Sequence, residues 1–217
     1  ILALASLHSK VALDYFTIAH VILADAPGQT TTIARLYSLI AFIHYEYNND
    51  AQRALNYCEA ALTIAKNKMD PSDGNLANVY AEVGVLYADL EKYNLALPVF
   101  EQALKIYYRN YSANLMAVAT VNYNIALIKE EQEKYKEAVA SYEKALELIL
   151  LTTGGENQLA VKIYSKIGQL YMSKLEDRTK GMPYLKNAIN ISKKVNRIED
   201  PEIEYRYRIL GKYYLGE

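Results

Sequence analysis

Apolar residues return at three- and four-residue spacing along most of the chain, as in Val83, Leu86, Tyr87 and Leu90, or Ala96, Val99, Phe100, Ala103 and Leu104. That spacing keeps to one face of a helix, so these stretches predict amphipathic helices. The helical stretches themselves recur. Gly84, Ala126 and Gly168 lie 42 residues apart, with an earlier copy at Ala41 and a later one at Gly211. An apolar residue precedes each of them (Ile40, Val83, Ile125, Ile167, Leu210), and Tyr87, Tyr171 or Tyr214 follows three positions later, with His44 and Lys129 as departures. A second set, Ala12, Ala54, Ala96, Ala138 and Gly181, keeps intervals of 42, 42, 42 and 43 residues. Each member is followed by a bulky or apolar residue (Phe16, Cys58, Phe100, Tyr142, Leu185) and then by Ala19, Ala61, Ala103, Ala145 or Ala188. A fixed period of this length marks stacked repeats and overrides a domain count made from length.

Each period holds two helices. First helices are predicted near Thr32–Asn48, Leu76–Leu90, Ala113–Gln132, Gln158–Leu175 and Pro201–Leu215, and second helices near Lys10–Leu23, Ala51–Lys66, Tyr93–Arg109, Tyr135–Leu151 and Thr179–Lys194. Short polar turns such as Asn48-Asn49-Asp50 join the members of a pair. Longer links containing Asp25-Ala26-Pro27-Gly28, Asp70-Pro71-Ser72-Asp73-Gly74, Thr153-Gly154-Gly155 and Glu199-Asp200-Pro201 separate the pairs, with residues that stop one helix and cap the next. Pro98 and Pro183 share a column near the start of the second helix, where a missing N–H is expected to matter least. Gly or Ala where two helices cross lets the backbones approach, while the large residue of the neighbouring column fills the adjoining space. One pair alone would leave a bare face, so the expected fold is all-α, a right-handed α-solenoid of stacked antiparallel helix pairs. The expected organisation is a single solenoid over 1–217. It comprises a partial repeat at 1–24, repeats at 32–67, 76–110, 113–151 and 158–195, and the first helix of a further or capping repeat at 201–217.

The columns Tyr80, Val83-Gly84, Tyr87, Ala96, Phe100 and Ala103 resemble the tetratricopeptide repeat (TPR) family, and the likeness covers nearly the whole chain. The usual TPR period is about 34 residues. The longer repeat here is similar to those of kinesin light chains and of bacterial intracellular peptide-sensing regulators. Asn122 and Asn124 before Ile125-Ala126 match the paired Asn of kinesin-light-chain repeats in one repeat only.

The resemblance implies protein binding, with first helices lining a concave groove that accepts a partner segment. Carried onto this sequence, the groove columns give Arg35, Ser38, Phe42, Tyr45 and Glu46, then Asn78, Ala81, Glu82, Val85 and Asp89. Tyr123, Asn124, Leu127, Glu130 and Glu131 follow, then Lys162, Ser165, Lys166 and Gln169, then Tyr205, Arg208 and Lys212. Those expected to bind a partner are Arg35, Phe42, Tyr45, Asn78, Glu82, Tyr123, Asn124, Lys162, Lys166, Gln169, Arg208 and Lys212. The clamp of Lys, Asn and Arg with which some family members hold a C-terminal carboxylate is not reproduced, because Leu127 and Gln169 stand where it would want Asn.

Charge adds a polarity. Residues 1–110 hold 8 basic and 11 acidic side chains, and 111–217 hold 16 and 14. The partner segment is therefore expected to be acidic toward the later repeats and apolar or aromatic toward the earlier ones, since complementary charge sets orientation and encounter rate. The net charge of −1 gives no footprint for nucleic-acid binding, and no apolar run is long enough to span a membrane. A single Cys makes no internal disulfide and no Cys-based zinc site, which points to a reducing, cytoplasmic setting. Residue 1 is Ile and no leader pattern follows it, so the chain reads as a piece of a longer protein.

No catalytic arrangement emerges. His8, His20 and His44 lack metal spacing, and there is no HExxH, GxSxG or Walker loop. Cys58 takes the place of an aromatic in a packing column and reads as a buried thiol. Glu130, Glu131 and Glu133 read as a solvated helix end, and Asp70, Asp73 and Gly74 lack the spacing of a calcium loop. Most of the 21 Tyr fall in packing columns, their hydroxyls expected to find partners at the pair surface. The leading expectation is a non-enzymatic scaffold or adaptor that needs no cofactor and recruits a peptide segment of another protein. The alternative is the peptide-sensing part of a bacterial receptor or transcription regulator. A third is self-assembly through end helices, using Leu2, Leu4 and Leu7 with Ile209, Tyr213 and Leu215.

Overall fold

The computed structural model describes residues 11–19, 21, 30–69, 74–109, 115–195 and 208. The chain divides into two compact units, Ile1–Tyr111 and Ser112–Glu217. In the first, α1 (Thr30–Glu46) pairs with α2 (Ala51–Lys68), and α3 (Gly74–Asp89) pairs with α4 (Tyr93–Arg109). Both α1 and α2 pack on α3, which makes the two pairs a stack. Residues 11–19 are also helical. In the second unit α5 (Leu115–Glu131) pairs with α6 (Tyr135–Thr153), α7 (Gln158–Ser173) pairs with α8 (Arg178–Val195), and α6 packs on α7. There is no strand among the described residues. The observed helices fall within a few residues of the predicted ones. The predicted last helix, Pro201–Leu215, lies outside the described residues apart from Arg208, as do Lys212, Tyr205 and the residues of the self-assembly reading.

The crossing of each pair explains its small residues. A Cβ added to Gly84 would lie 2.6 Å from Phe100 Cε1, and one added to Gly168 would lie 2.6 Å from Leu185 Cγ. Gly181 is equally confined, against Met172. Phe100 and Leu185 are buried, as are Cys58 and Tyr142 in the same column, so a large side chain on the second helix fills the space that the first helix vacates. His44 and Lys129, the two departures from the Tyr column, preserve its contact by other means. The His44 ring stacks on Tyr57 at 5.3 Å, Lys129 Nζ donates to Ser141 Oγ at 3.1 Å, and Tyr171 stacks on Tyr184 at 6.0 Å. Tyr57, Ser141 and Tyr184 occupy one column of the second helix.

A further repeat signature is conformational. Asn49, Glu91, Glu133 and Glu176, at equivalent positions in the four intra-pair turns, have φ of 49°, 58°, 59° and 53°. This left-handed residue reverses the chain, so that the N–H of Asp50, Lys92, Lys134 and Asp177 reaches back to the carbonyl of His44, Tyr87, Lys129 and Tyr171 at 2.7–2.8 Å. The same four residues accept, through their own carbonyls, the N–H of Ala54, Ala96, Ala138 and Gly181 and so open the second helix. Pro98 and Pro183 sit in the second turn of α4 and α8, not at the helix start where a missing N–H matters least. They lie beyond the four N–H groups that a helix start leaves unpaired, so each removes one ladder bond. At the Thr153–Gly155 link, Gly154 ends α6 in the left-handed region (φ 64°), its N–H donating to Leu150 O at 3.1 Å, and Asn157 caps α7 by accepting from Leu159 N at 2.7 Å.

Candidate partner-binding faces

In each pair the first helix is the more enclosed member and the second turns a broad exposed face to solvent, so the first helices offer only a narrow stripe of exposed and half-buried residues. On α1 the exposed stripe runs Thr32, Arg35, Leu39, Phe42 and Glu46, at the three- and four-residue steps of one helical face. On α3 the half-buried residues Asn78, Ala81, Glu82, Val85 and Ala88 lead to exposed Asp89. Two ties join these faces. Arg35 Nε donates to Glu82 Oε1 at 3.3 Å, and Tyr45 Oη donates to the Asp89 carbonyl at 3.1 Å. Burial pushes the Glu82 carboxyl above its usual range, opposed by the Arg35 charge and by hydrogen bonds from Arg35 and Ser38. Asn78 Oδ1 accepts the hydroxyl of Tyr107 at 2.5 Å, so this residue also fastens α3 to α4.

In the second unit the equivalent faces belong to α5 and α7. Tyr123 is half-buried and tilted against Tyr142 at 5.7 Å. Glu130 is a junction: Oε2 accepts from Tyr142 Oη at 2.8 Å, and Oε1 accepts from Lys166 Nζ at 3.0 Å. It is therefore no part of a solvated helix end, unlike exposed Glu131 and Glu133. Lys166, expected to meet an acidic partner, has its charge matched by this carboxylate. Lys162 is exposed and Gln169 half-buried, and Arg208 is exposed as well. Asn124 is half-buried on α5 with no hydrogen-bond partner among the described residues, whereas its neighbour Asn122 is buried and donates to the Val118 carbonyl at 2.9 Å. Ser38 and Ser165 leave the surface altogether. Both are buried and hydrogen-bond one turn back, to Ala34 O at 3.3 Å and Val161 O at 2.8 Å.

Cys58 is fully buried, and burial pushes its thiol up to about 12, with Glu59 adding to the shift. No three His, Cys, Asp or Glu side chains gather at metal distance among the described residues. No helix of the described residues is long and apolar enough to cross a membrane.

A family model described as tetratricopeptide repeat matches residues 32–109 and 117–194. The chain belongs to the tetratricopeptide repeat family. TPR folds in general serve protein–protein interaction and are typically non-catalytic scaffolds. No curated protein matches the chain in sequence. Among solved structures, BtubC (BKLC) from P. vanneervenii is 24% identical with a TM-score of 0.80, over 95% of this chain and 82% of that one. The apo form of RapI is 19% identical with a TM-score of 0.77, over 96% of this chain and 55% of its own. A putative kinesin light chain from Podosopora anserina, with nearly identical TPR-like repeats, is 14% identical with a TM-score of 0.69, over 90% of this chain and 94% of that one. At these identities the likeness is one of fold, that of TPR-like helical solenoids.

Within this TPR frame the sequence reading passed over Leu39 and Tyr47, which are 47% and 51% exposed. Leu39 was legible in principle, since it lies four residues after Arg35 and three before Phe42 on the same helical face. Tyr47 follows the end of α1, where helical spacing no longer reports orientation.

Proposed function

We propose that this chain is a non-catalytic interaction module, a scaffold or adaptor in which the exposed faces of the first helices hold a peptide segment of a partner protein. The observation that carries the reading is a set of first-helix side chains that the fold leaves unengaged. On α1 Leu39 and Phe42 are exposed, and on α5 half-buried Asn124 makes no hydrogen bond among the described residues. An amide that makes no internal hydrogen bond can pair with a peptide backbone through both donor and acceptor. Lys162 supplies a cation for an acidic residue of the partner. Cys58, a buried thiol with no disulfide partner in the sequence, suits a cytoplasmic setting.

The test is affinity capture from a native lysate with the full chain, followed by crosslinking mass spectrometry, beside the Asn124→Ala and Lys162→Glu variants. A protein crosslinked to the first helices and lost with either variant supports the module. Captured proteins that crosslink only to second helices, or whose recovery ignores both variants, would sink it.

A further inference from the structure

Leu39, Phe42 and Tyr47 are 47%, 42% and 51% exposed, three large apolar side chains in one short stretch of the first unit. Leu39 stands two residues before the small residue of its repeat, a position that holds Glu82, Asn124 and Lys166 in the repeats that follow. The apolar character is therefore local to this repeat and not a property of the column. The Phe42 ring meets that of Tyr47 edge to face, 6.3 Å between centroids at 82°. Phe42 and half-buried Val85 stand at equivalent positions of α1 and α3. Both lie between the Arg35–Glu82 tie at one end and the Tyr45–Asp89 tie at the other, so the strip has defined ends.

Those ends differ in charge. Arg35 and Glu82 neutralise each other at 3.3 Å. At the opposite end Glu46 and Asp89 are both exposed, and neither has an ion pair among the described residues. Partial burial lifts the Asp89 carboxyl above its usual range, and the like charge of Glu46 adds to the effect. The strip is thus apolar along its length and negative at one end only, a pattern that selects both the composition and the direction of whatever lies on it.

We infer that the strip on α1 and α3 binds a segment of a partner protein that lays apolar side chains over Leu39 and Phe42 and sets a Lys or Arg against Glu46 and Asp89. This rests on the reading of the first-helix faces as the binding surface, and names the partner's chemistry at one of them. A second copy of the chain fits less well. Strip against strip brings two pairs of carboxylates and no unpaired cation, because Arg35 is held by Glu82.

A display library of short random peptides, panned on the full chain, tests the inference together with two double variants, Leu39→Ala with Phe42→Ala, and Glu46→Lys with Asp89→Lys. All four side chains are exposed, and circular dichroism confirms that each variant keeps its helices. The expected peptides combine apolar residues with Lys or Arg. Their affinity falls about tenfold or more in the alanine variant, as for a buried aromatic anchor. In the charge-reversed variant, selection moves to peptides carrying Asp or Glu. Peptides that ignore both variants but are lost with Asn124→Ala or Lys162→Glu would overturn the inference and leave the interaction module standing. A library that yields no binder removes both. A dimer of the full chain that the alanine variant dissociates, seen by sedimentation, would assign the strip to a second copy and overturn the inference as well.

Discussion

A single hydrogen in place of a methyl sets the closest approach in these pairs. At Gly84 an added Cβ meets the ring of Phe100 at 2.6 Å, and the ring is buried on every side, so it has nowhere to move without opening the pair. Gly84→Ala is expected to cost about 1–3 kcal/mol, the usual range for overpacking a tight core, read as a lower urea midpoint with an unchanged slope. Lys166 offers a second test at this scale. Its ammonium sits 3.0 Å from Glu130, and both side chains are partly shielded from water, so Lys166→Glu replaces an attraction with a repulsion between neighbouring repeats. A loss of stability of about 1 kcal/mol or more is expected. Lys162→Glu, at an exposed position without an ion pair among the described residues, is expected to leave the urea midpoint unchanged. The contrast separates a side chain that holds repeats together from one that faces a partner. Sequence alone could not draw it, since Lys166 and Glu130 are 36 residues apart and meet only once two pairs are stacked.

The helices themselves were legible because each repeats the same solution to the same packing problem. A column of Ala or Gly opposite a column of Phe, Tyr, Cys or Leu is visible in one dimension, and so are the Asn and Gly that end helices. The turns were less legible. Nothing in the composition of Glu91, Glu133 and Glu176 announces a left-handed residue, for which Gly or Asn is the usual choice, yet all three adopt it at φ between 53° and 59°. Tertiary packing of the pair imposes the conformation, and the hydrogen bonds it permits on both sides of the turn compensate. Replacing Glu133 with Asn, as the first described turn already has at Asn49, is expected to raise the thermal midpoint slightly; a fall would show that the Glu side chain has a role of its own. The start of α7 gives a prediction of the opposite sign. Asn157→Ala removes the acceptor for Leu159 N–H at 2.7 Å and should cost about 1 kcal/mol, with faster hydrogen exchange at the Leu159 amide.

Across the whole chain, the abundance of tyrosine makes alkaline pH the condition that most directly probes the packed state. Burial pushes the hydroxyls of Tyr87 and Tyr107 and the thiol of Cys58 each up to about 12, with smaller contributions from nearby groups: Cys58 and Glu59 for Tyr87, Glu82 for Tyr107 and Glu59 for Cys58. In the second unit Tyr142 and Tyr184 are shifted upward too, by burial first and then by the carboxylates of Glu130 and Glu143 that accept their hydrogen bonds. The sign follows from which state keeps its protons. Above about pH 9 the unfolded thiol ionises, and above about pH 10 the unfolded phenols do, while the folded groups stay neutral. The unfolded chain then holds fewer protons than the native one, and stability falls with rising pH. The contribution of these groups is complete below about pH 9 and is lost progressively toward pH 12. Because every shift named here has the same direction in both units, the losses reinforce one another, and cooperative unfolding is expected before the buried tyrosines titrate in the native state. Absorbance near the tyrosinate band should rise in two stages as pH is raised: a gradual one from phenols already open to water, then a steep one that coincides with loss of helical circular dichroism. A single gradual rise, complete while the helices persist, would mean that the buried hydroxyls reach water without unfolding, and that the pairs are looser than the packing around Phe100, Tyr142 and Leu185 implies.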